Sequence, residues 1–236
     1  MDDILLRKIG NDDECVINTI SIDQDNTRSD FAPPYNTIVA QVVEDREWLV
    51  ELGENEECNE NTPISNADLT ELTFDWYAQD IHQNVWYMGE LSQSFEDECG
   101  PHPGTGVPEC FEGSWEAGQY GPDMEIKAEP GIVVPSDTPY GHGGEPLTPG
   151  TYYMQEVAEG AEDMAKILRL NAPLTVEDGV FPGEYENCRK VKEWTSLEPG
   201  GSVEHKWYCS PGPGLVLIQG IGGGTTESEV LMLVTP

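Results

Sequence analysis

The alternation of apolar and polar residues is strongest between residues 74 and 90, FDWYAQDIHQNVWYMGE. It predicts two strands joined at Ile81, His82 and Gln83, with Asp80 opposite Asn84. This register gathers the apolar side chains on one face: Phe74, Trp76, Ala78, Trp86 and Met88. The other face carries Asp75, Tyr77, Gln79, Val85 and Tyr87. We expect an amphipathic hairpin with its apolar face inward and its polar and aromatic face outward.

Glu90 interrupts this pattern, because the register places it on the apolar face opposite Phe74. A carboxylate turned toward a core is costly unless it is paired, hydrogen-bonded or bound to a cation. The alternative is that the strand ends or bulges at Gly89 and returns Glu90 to water. Glu90 is therefore the first acid to consider for a functional role.

A second hairpin is predicted around the turn EPGG, between ENCRKVKEWTSL and SVEHKWYC. Pairing Cys188 with Cys209 also aligns three further pairs: Lys190 with Trp207, Lys192 with His205, and Trp194 with Val203. This register predicts a cross-strand Cys188–Cys209 disulfide. One pair counts against it, since Glu193 then faces Glu204.

The remaining patterned segments also favour strands. CVINTISI, NTIVAQVVEDREWLVEL, TYYMQEV, GLVLIQGI and SEVLMLV are rich in β-branched and aromatic residues, whereas AEGAEDMAKILRL predicts one or two helical turns entering a strand. Gly and Pro between residues 96 and 151 predict long loops. The sequence therefore predicts a mainly β fold: an antiparallel meander forming a curved sheet or barrel-like single domain, with long Gly/Pro-rich loops and little helix. Residues 1–70 would form an N-terminal β-rich segment, part of the same domain or an assembly arm, before a main antiparallel domain at 71–236.

The six cysteines indicate an oxidising compartment. Cys99 and Cys110 bracket a Pro/Gly-rich loop and predict a second disulfide, which leaves Cys15 and Cys58 as a third pair by elimination. The N-terminus MDDILLRKIG has acids where an export signal would carry basic residues. We expect a secreted, periplasmic or cell-surface protein whose export signal is not present in this chain. A cytosolic protein with buried thiols is the alternative.

Charge sets this chain of 236 residues apart, because 45 Asp and Glu against 11 Lys and Arg give a net charge of -34. Such a surface repels nucleic acid and anionic membranes. Membrane insertion is not expected either, since no run approaches the about 18 apolar residues of a membrane span. The acidity suits solubility in high salt, binding of divalent cations, or a cationic partner.

Calcium is the first metal to consider. The segment DQDNTRSD begins like an EF-hand loop, but Arg28 and Pro34 stand where that loop needs Gly and Glu. Asp23, Asp25 and Asp30 are thus candidates for a looser site, with a solvated acidic loop as the alternative. The four histidines lack ligand spacing, and neither a nucleophile elbow nor a phosphate-binding loop occurs. Nothing in these motifs indicates an enzyme.

Two of the six tryptophans are candidates for stacking on a sugar. Trp115 in EGSWEAG is flanked by glycines and carboxylates, which predicts a position outside a strand core. Trp207 is the other. These residues raise a carbohydrate-binding or hydrolytic domain around Trp115 as one alternative function.

The motif series FDWYAQD, NVWYMGE, GSWEAG, EGAEDMAKIL and EWTSLEPG resembles a family of uncharacterised secreted bacterial β-rich proteins. The resemblance extends from about Leu72 to Val230. It implies an exported β-rich domain, with no established activity. Acids and one histidine within the matching motifs become the ranked site residues: Asp75, Glu90, Glu116, Glu156, Glu162, Asp163 and His205.

We therefore expect an exported, highly acidic, non-enzymatic β protein that binds divalent cations, with calcium first. The expected metal-binding carboxylates are Asp75, Glu90, Glu116 and Glu156, together with Asp23, Asp25 and Asp30. Trp115 and His205 are the expected contacts for another ligand. The main alternative is a structural subunit of an extracellular filament or surface assembly, which would self-associate.

Overall fold

The regular elements of the protein are β-strands. The computed structural model describes residues 3–7, 14–53, 62, 64, 68–95, 99, 110–111, 113–121, 125–136, 139, 141, 144–176, 183–197, 201, 203–209, 214–220 and 228–229. Within these ranges there are fourteen strands and no α-helix. No helix in the described part is long and apolar enough to cross a membrane.

The first sheet has eight strands. Seven follow the order β1-β2-β3-β4-β5-β7-β9, and β6 pairs with β5 beside β7. Their bounds are β1 Asp3–Arg7, β2 Glu14–Arg28, β3 Ala40–Glu51, β4 Asp68–Gln79, β5 Val85–Ser94, β6 Trp115–Glu116, β7 Glu129–Val134 and β9 Glu156–Val157. The expected boundary after residue 70 falls inside β4, which pairs with β3 on one side and β5 on the other.

The second sheet has six strands in the order β14-β13-β12-β11-β10-β8. Their bounds are β8 Tyr152–Met154, β10 Asp163–Val176, β11 Gly183–Thr195, β12 Val203–Cys209, β13 Gly214–Gly220 and β14 Ser228–Glu229. Every described strand pair in both sheets is antiparallel.

These sheets confirm the predicted mainly β single domain built as an antiparallel meander. Neither sheet closes into a barrel among the described strands. The helical turns expected in AEGAEDMAKILRL are wrong, because residues 163–170 are the first part of the long strand β10. That strand pairs along most of its length with β11, and these ladder hydrogen bonds override the local helix propensity of Met, Ala, Lys and Leu.

Apolar side chains pack on both faces of the first sheet. On one face, Trp76 and Met88 join a cluster with Phe31, Trp115 and Ala117, contributed by the connections that follow β2 and β5. The other face meets the second sheet. A second cluster joins the two sheets there: Ile132, Leu147, Tyr153, Ala165, Ile167, Val191 and Tyr208. Polar side chains fill the remaining part of this interface and form the site described below.

The second hairpin has the predicted register. Cys188 pairs with Cys209, and Glu193 with Glu204, as do the three other pairs expected from the sequence. The Cys188–Cys209 and Cys99–Cys110 disulfides are confirmed. Cys15 is also disulfide-bonded, whereas Cys58 lies outside the described residues. The two confirmed disulfides are consistent with an extracellular or otherwise oxidising environment.

Candidate functional site

A bulge in β5 places Glu90 opposite Asp75. Gly89 lies in this bulge with a φ of 125°, a conformation that side chains disfavour. A Cβ atom at this position would lie 2.3 Å from the carbonyl oxygen of Trp115. The bulge therefore requires glycine, and it reverses the side of the sheet on which Glu90 lies.

The predicted pairing of Glu90 with Phe74 is consequently wrong, because Phe74 pairs with Leu91. The alternative is correct in one respect, because β5 does bulge at Gly89. Glu90 does not return to open water, however. It lies half-buried on the same side of the hairpin as Asp75, and the two carboxylates face each other across β4 and β5.

The hairpin face expected to point outward is buried. Asp75 is 9 % exposed and Tyr87 is 5 % exposed, and Tyr77 stacks on Tyr87 with the ring centroids 5.0 Å apart. The sequence grouped these residues correctly on one face. Its outward direction is wrong because the second sheet covers that face.

The Tyr87 hydroxyl group joins the two facing carboxylates. It donates to Asp75 Oδ1 at 2.5 Å and lies 3.0 Å from Glu90 Oε2. A phenol has one proton to donate. Full hydrogen bonds to both acids therefore require one carboxyl group to be protonated and to donate to the phenol oxygen.

These side chains line a cleft of about 350 Å³ between the two sheets. Most of the lining residues are acidic, and these acids come from six strands of the two sheets. The charged residues are Asp45, Glu71, Asp75, Glu90, Glu156, Asp163, Glu193 and Lys206. Seven carboxylates thus share one cleft with one ammonium group, and the positive charge needed to balance them is missing from its described walls.

Burial and mutual repulsion raise the pKa values of the cleft acids. Burial raises the pKa of Asp75 to about 7, with a further contribution from the Glu90 carboxylate. Burial likewise raises the pKa of Glu90 to about 7, against the hydrogen bond from Tyr87. The pKa of Asp45 is raised to about 6 for the same main reason. At neutral pH a proton therefore competes with any cation for these oxygens.

Glu156, in β9 of the first sheet, and Asp163, in β10 of the second sheet, also line the cleft. Burial raises the pKa of Glu156 to about 8, and the Asp163, Glu90 and Asp75 carboxylates act in the same direction. The pKa of Asp163 is also raised by burial. Acids of both sheets thus contribute to the raised pKa of Glu156: Asp163 from the second sheet, and Asp75 and Glu90 from the first.

The ammonium group of Lys206 is paired with two carboxylates. Its Nζ lies 2.8 Å from Glu193 Oε2 and 3.3 Å from Glu204 Oε2. Burial lowers the pKa of Lys206, but attraction to these two carboxylates outweighs burial and leaves it above its ordinary value. The cross-strand pair Glu193–Glu204, unfavourable by itself, is thereby bridged by one ammonium group.

Gln155 adds a neutral polar group to the cleft. It is 5 % exposed and lines the cleft, and its backbone N–H donates to Asp163 O at 2.8 Å. Gly131 makes room for this backbone, since a Cβ atom there would lie 2.1 Å from Gln155 O. Gln155 is thus the one carboxamide side chain among the described residues that line the cleft.

Glu116, another expected metal ligand, lies outside the cleft. Its carboxylate forms an ion pair with Arg28, whose guanidinium carbon lies 3.8 Å from the centre of the Trp76 ring. Glu116, Trp76 and Glu90 line a neighbouring depression of about 340 Å³. Glu90 thus borders both cavities, whereas Glu116 is already neutralised by Arg28.

The candidate ligands Asp23, Asp25 and Asp30 are not brought together with the cleft. Asp23 and Asp25 lie in an irregular, exposed part of β2, where Asp23 Oδ1 accepts the Asp25 backbone N–H at 3.0 Å. Asp30 is exposed and accepts from Arg28 Nε at 2.9 Å. Among the described residues, no group of three or more His, Cys, Asp or Glu side chains converges closely enough to hold a metal ion as the side chains now stand.

Trp115 and His205, the two residues expected to contact another ligand, are buried to different extents. Trp115 is 4 % exposed, in contact with Tyr87 at a centroid distance of 5.4 Å. Its expected position outside a strand core is therefore wrong, because β6 pairs it with Glu90 and the apolar cluster covers it. His205 is half-buried on the far side of the second sheet from the cleft-lining Glu193 and Lys206, next to Trp207.

Sequence reasoning found Asp75, Glu90, Glu156 and Asp163 but missed the other cleft residues. Asp45 lies in a strand whose charged residues do not alternate with apolar ones, so its direction could not be predicted. Glu71 lies four positions before Asp75 in β4, on the same side of the strand, and could have been found by extending the alternation. Glu193 and Lys206 could have been found. The correctly predicted second hairpin places both on its inner face, with Glu204.

The chain matches no protein-family model, no curated protein and no solved structure. The resemblance to secreted bacterial β-rich proteins stays a prediction. The fold and site define the chain as an open two-sheet antiparallel β protein with a carboxylate-lined cleft between its sheets.

Proposed function

We propose that the cleft binds a divalent cation, with calcium the first candidate, and that the bound cation replaces protons. The observation that supports this proposal is the meeting of Asp75, Glu90 and Glu156, from three strands, in a cleft whose only described ammonium group, that of Lys206, is paired with Glu193 and Glu204. Bringing like charges together in a partly buried space is unfavourable unless protons or cations neutralise them.

Oxygen chemistry favours calcium over softer metals. Calcium accepts six to eight oxygen ligands from carboxylates, carboxamides and water, and the cleft offers carboxylates together with the carboxamide of Gln155. Since the cleft volume is about 350 Å³, a cation keeps part of its water shell or draws the side chains inward. The net charge of -34 raises the local concentration of cations around the protein.

Thermal unfolding with calcium and with a chelator at pH 8 tests this proposal. We expect calcium at about 100 times its dissociation constant to stabilise the fold by roughly 2.7 kcal/mol. Glu156→Gln should reduce this effect, whereas Asp23→Asn, at an exposed carboxylate outside the cleft, should leave it intact. An unchanged melting temperature in millimolar calcium, or equal effects of the two substitutions, would reject the cleft as the site.

Secretion and the role of a structural subunit stay proposals beside this one. β1 is an edge strand among the described strands of the first sheet, and edge strands can pair with another chain. Sedimentation of the native chain tests self-assembly, for which a monomer at all concentrations would be the opposing result.

A further inference from the structure

The outer face of the second sheet carries an arrangement that the cleft does not use. We define the basic strip as Tyr152, Lys166, Lys190, Lys192, Trp194 and His205. Lys166 pairs with Tyr152 and with Lys192, and Lys192 pairs with His205, so one row crosses β8, β10, β11 and β12. Neighbouring strands are roughly 4.8 Å apart, which gives the row the form of a track perpendicular to the strands.

The positive charges in the strip, and that of Arg169 beside it, are not paired with carboxylates among the described residues. Lys166, Arg169, Lys190 and Lys192 are four of the 11 Lys and Arg residues of the chain, and none of them forms an ion pair within the described structure. Arg169 is exposed and pairs in register with Lys190. With 45 acidic residues in the chain, four neighbouring cations without a carboxylate partner are unexpected by chance.

The pKa values of the strip agree with a locally positive surface. Burial lowers the pKa of His205, and the charges of Lys190 and Lys192 lower it further. Burial and the nearby Arg169 lower the pKa of Lys190. The neighbours that act on these two groups are thus other cations.

Aromatic rings alternate with the ammonium groups. Tyr152 is 58 % exposed, and its ring meets Trp194 edge-on at a centroid distance of 5.9 Å. Lys166 Nζ lies 3.0 Å from the Tyr152 hydroxyl oxygen, and Lys192 Nζ lies 5.1 Å from the centre of the Trp194 ring. Flat apolar rings beside ammonium groups offer a stacking surface and an anion contact side by side.

We propose that the basic strip binds an acidic polysaccharide, a chain of carboxylate-bearing sugars. The rings stack on the apolar faces of the sugars, and the ammonium groups of Lys166 and Lys192 donate to their carboxylates. This site lies on the opposite side of the second sheet from the cleft and does not depend on the proposed cation site.

Charge favours this ligand over other polyanions. Duplex DNA carries one charge per about 1.7 Å, so its dense charge is strongly repelled by the remainder of a chain with net charge -34. A second copy of this chain would bring another large acidic surface into contact. A thin polymer with one carboxylate per sugar can lie along the strip while staying away from the acidic surface around it.

Binding of polygalacturonate to the full chain, measured by calorimetry in EDTA at an ionic strength of about 0.15 M, tests the proposal. EDTA prevents calcium from bridging two polyanions, so failure of the cleft proposal would not affect the result. The double variant Lys166→Gln/Lys192→Gln should weaken binding roughly tenfold. The matched control Arg46→Gln/Lys127→Gln removes two charges that already have carboxylate partners, and should bind like the wild type.

Tyr152→Ala tests the aromatic contribution without a change in charge and should also weaken binding. Melting temperatures of all variants confirm that each is folded. Fully methyl-esterified polygalacturonate, which lacks the carboxylates, should not bind. The proposal is overturned if polygalacturonate does not bind, if the esterified polymer binds equally, or if the strip and control variants behave alike. A last opposing result is a chain that self-associates and binds no polysaccharide. If the strip variants abolish that self-association, the strip is an interface between copies of the chain and the proposal is overturned.

Discussion

Asp75 and Glu90 face each other across β4 and β5, and the hydroxyl oxygen of Tyr87 lies 2.5 Å from one carboxylate and 3.0 Å from the other. Two like charges directly opposite each other on a sheet destabilise it. Here the same pair is buried at the interface between two sheets, where repulsion is stronger than at a surface. The stability of the fold should therefore depend on what neutralises this pair.

Without calcium, we expect the free energy of unfolding to fall as the pH rises from about 4 to 8. The folded-state pKa values of Asp75, Glu90 and Glu156 are about 7, 7 and 8, above the ordinary 3.8 and 4.5. In this pH range the folded state binds more protons than the unfolded state, so stability is lost as they are released.

Urea unfolding in EDTA at several pH values measures this loss. The double variant Asp75→Asn/Glu90→Gln removes two of the three groups and should flatten the profile. A wild-type profile that rises from pH 5 to pH 8 would contradict the prediction, because it would mean that the cleft acids are ionised without cost.

Tyr87→Phe should raise the pKa values of Asp75 and Glu90 further. The Tyr87 hydroxyl group lowers the pKa of whichever of the two acids is ionised and accepts its proton, and phenylalanine cannot donate. We also expect a loss of roughly 1–3 kcal/mol at pH 8, where the acids are left without this donor. Carboxyl carbon NMR titration measures the pKa values, and Tyr120→Phe, at an exposed tyrosine outside the cleft, is the control. Identical titration curves for Tyr87→Phe and the wild type would exclude the shared hydrogen bond.

Gly89→Ala should destabilise the protein by several kcal/mol, because it combines a φ of 125° with a Cβ position 2.3 Å from Trp115 O. Gly113→Ala is the matched control. Gly113 has a φ of 85° but nothing within 4 Å of its Cβ position, so only backbone strain of roughly 1 kcal/mol or somewhat more is expected. Denaturant unfolding compares the two variants, and equal losses would show that the contact with β6 does not fix the bulge.

Lys206→Met should cost roughly 3–5 kcal/mol, since it leaves Glu193 and Glu204 opposed without the ammonium group between them. Lys127→Met is the control, because Lys127 forms an exposed pair with Glu125 at 3.5 Å, and loss of such a pair should cost less than about 1 kcal/mol. Chemical denaturation at pH 7 measures both variants. If Glu193→Gln restores the stability of Lys206→Met, the loss is assigned to repulsion between the two acids.

The parts of the fold that depend on neighbouring residues could be predicted from the sequence. The hairpin of β11 and β12 has the predicted register, because alternation, the turn EPGG and the cysteine pair all specify the same alignment. The tip of the first hairpin also agrees, since Asp80 N–H donates to Asn84 O at 3.1 Å.

Features that depend on distant residues could not be predicted. The bulge at Gly89 is fixed by Trp115, 26 positions further along the chain, and so the sequence left open the side of the sheet on which Glu90 lies. The side chains of Asp75 and Tyr87 point inward because the second sheet covers them, and no local sequence pattern predicts where that sheet packs. For the same reason the alternation of β4 grouped its polar residues correctly but could not indicate that they line a cleft.

Calorimetric titration of calcium at pH 7, repeated in buffers of different ionisation enthalpy, tests the central claim most directly. The account predicts saturable binding accompanied by proton release, and loss of both in Glu156→Gln and in Asp75→Asn/Glu90→Gln. Binding without proton release, or no binding by a folded wild-type chain, would contradict it.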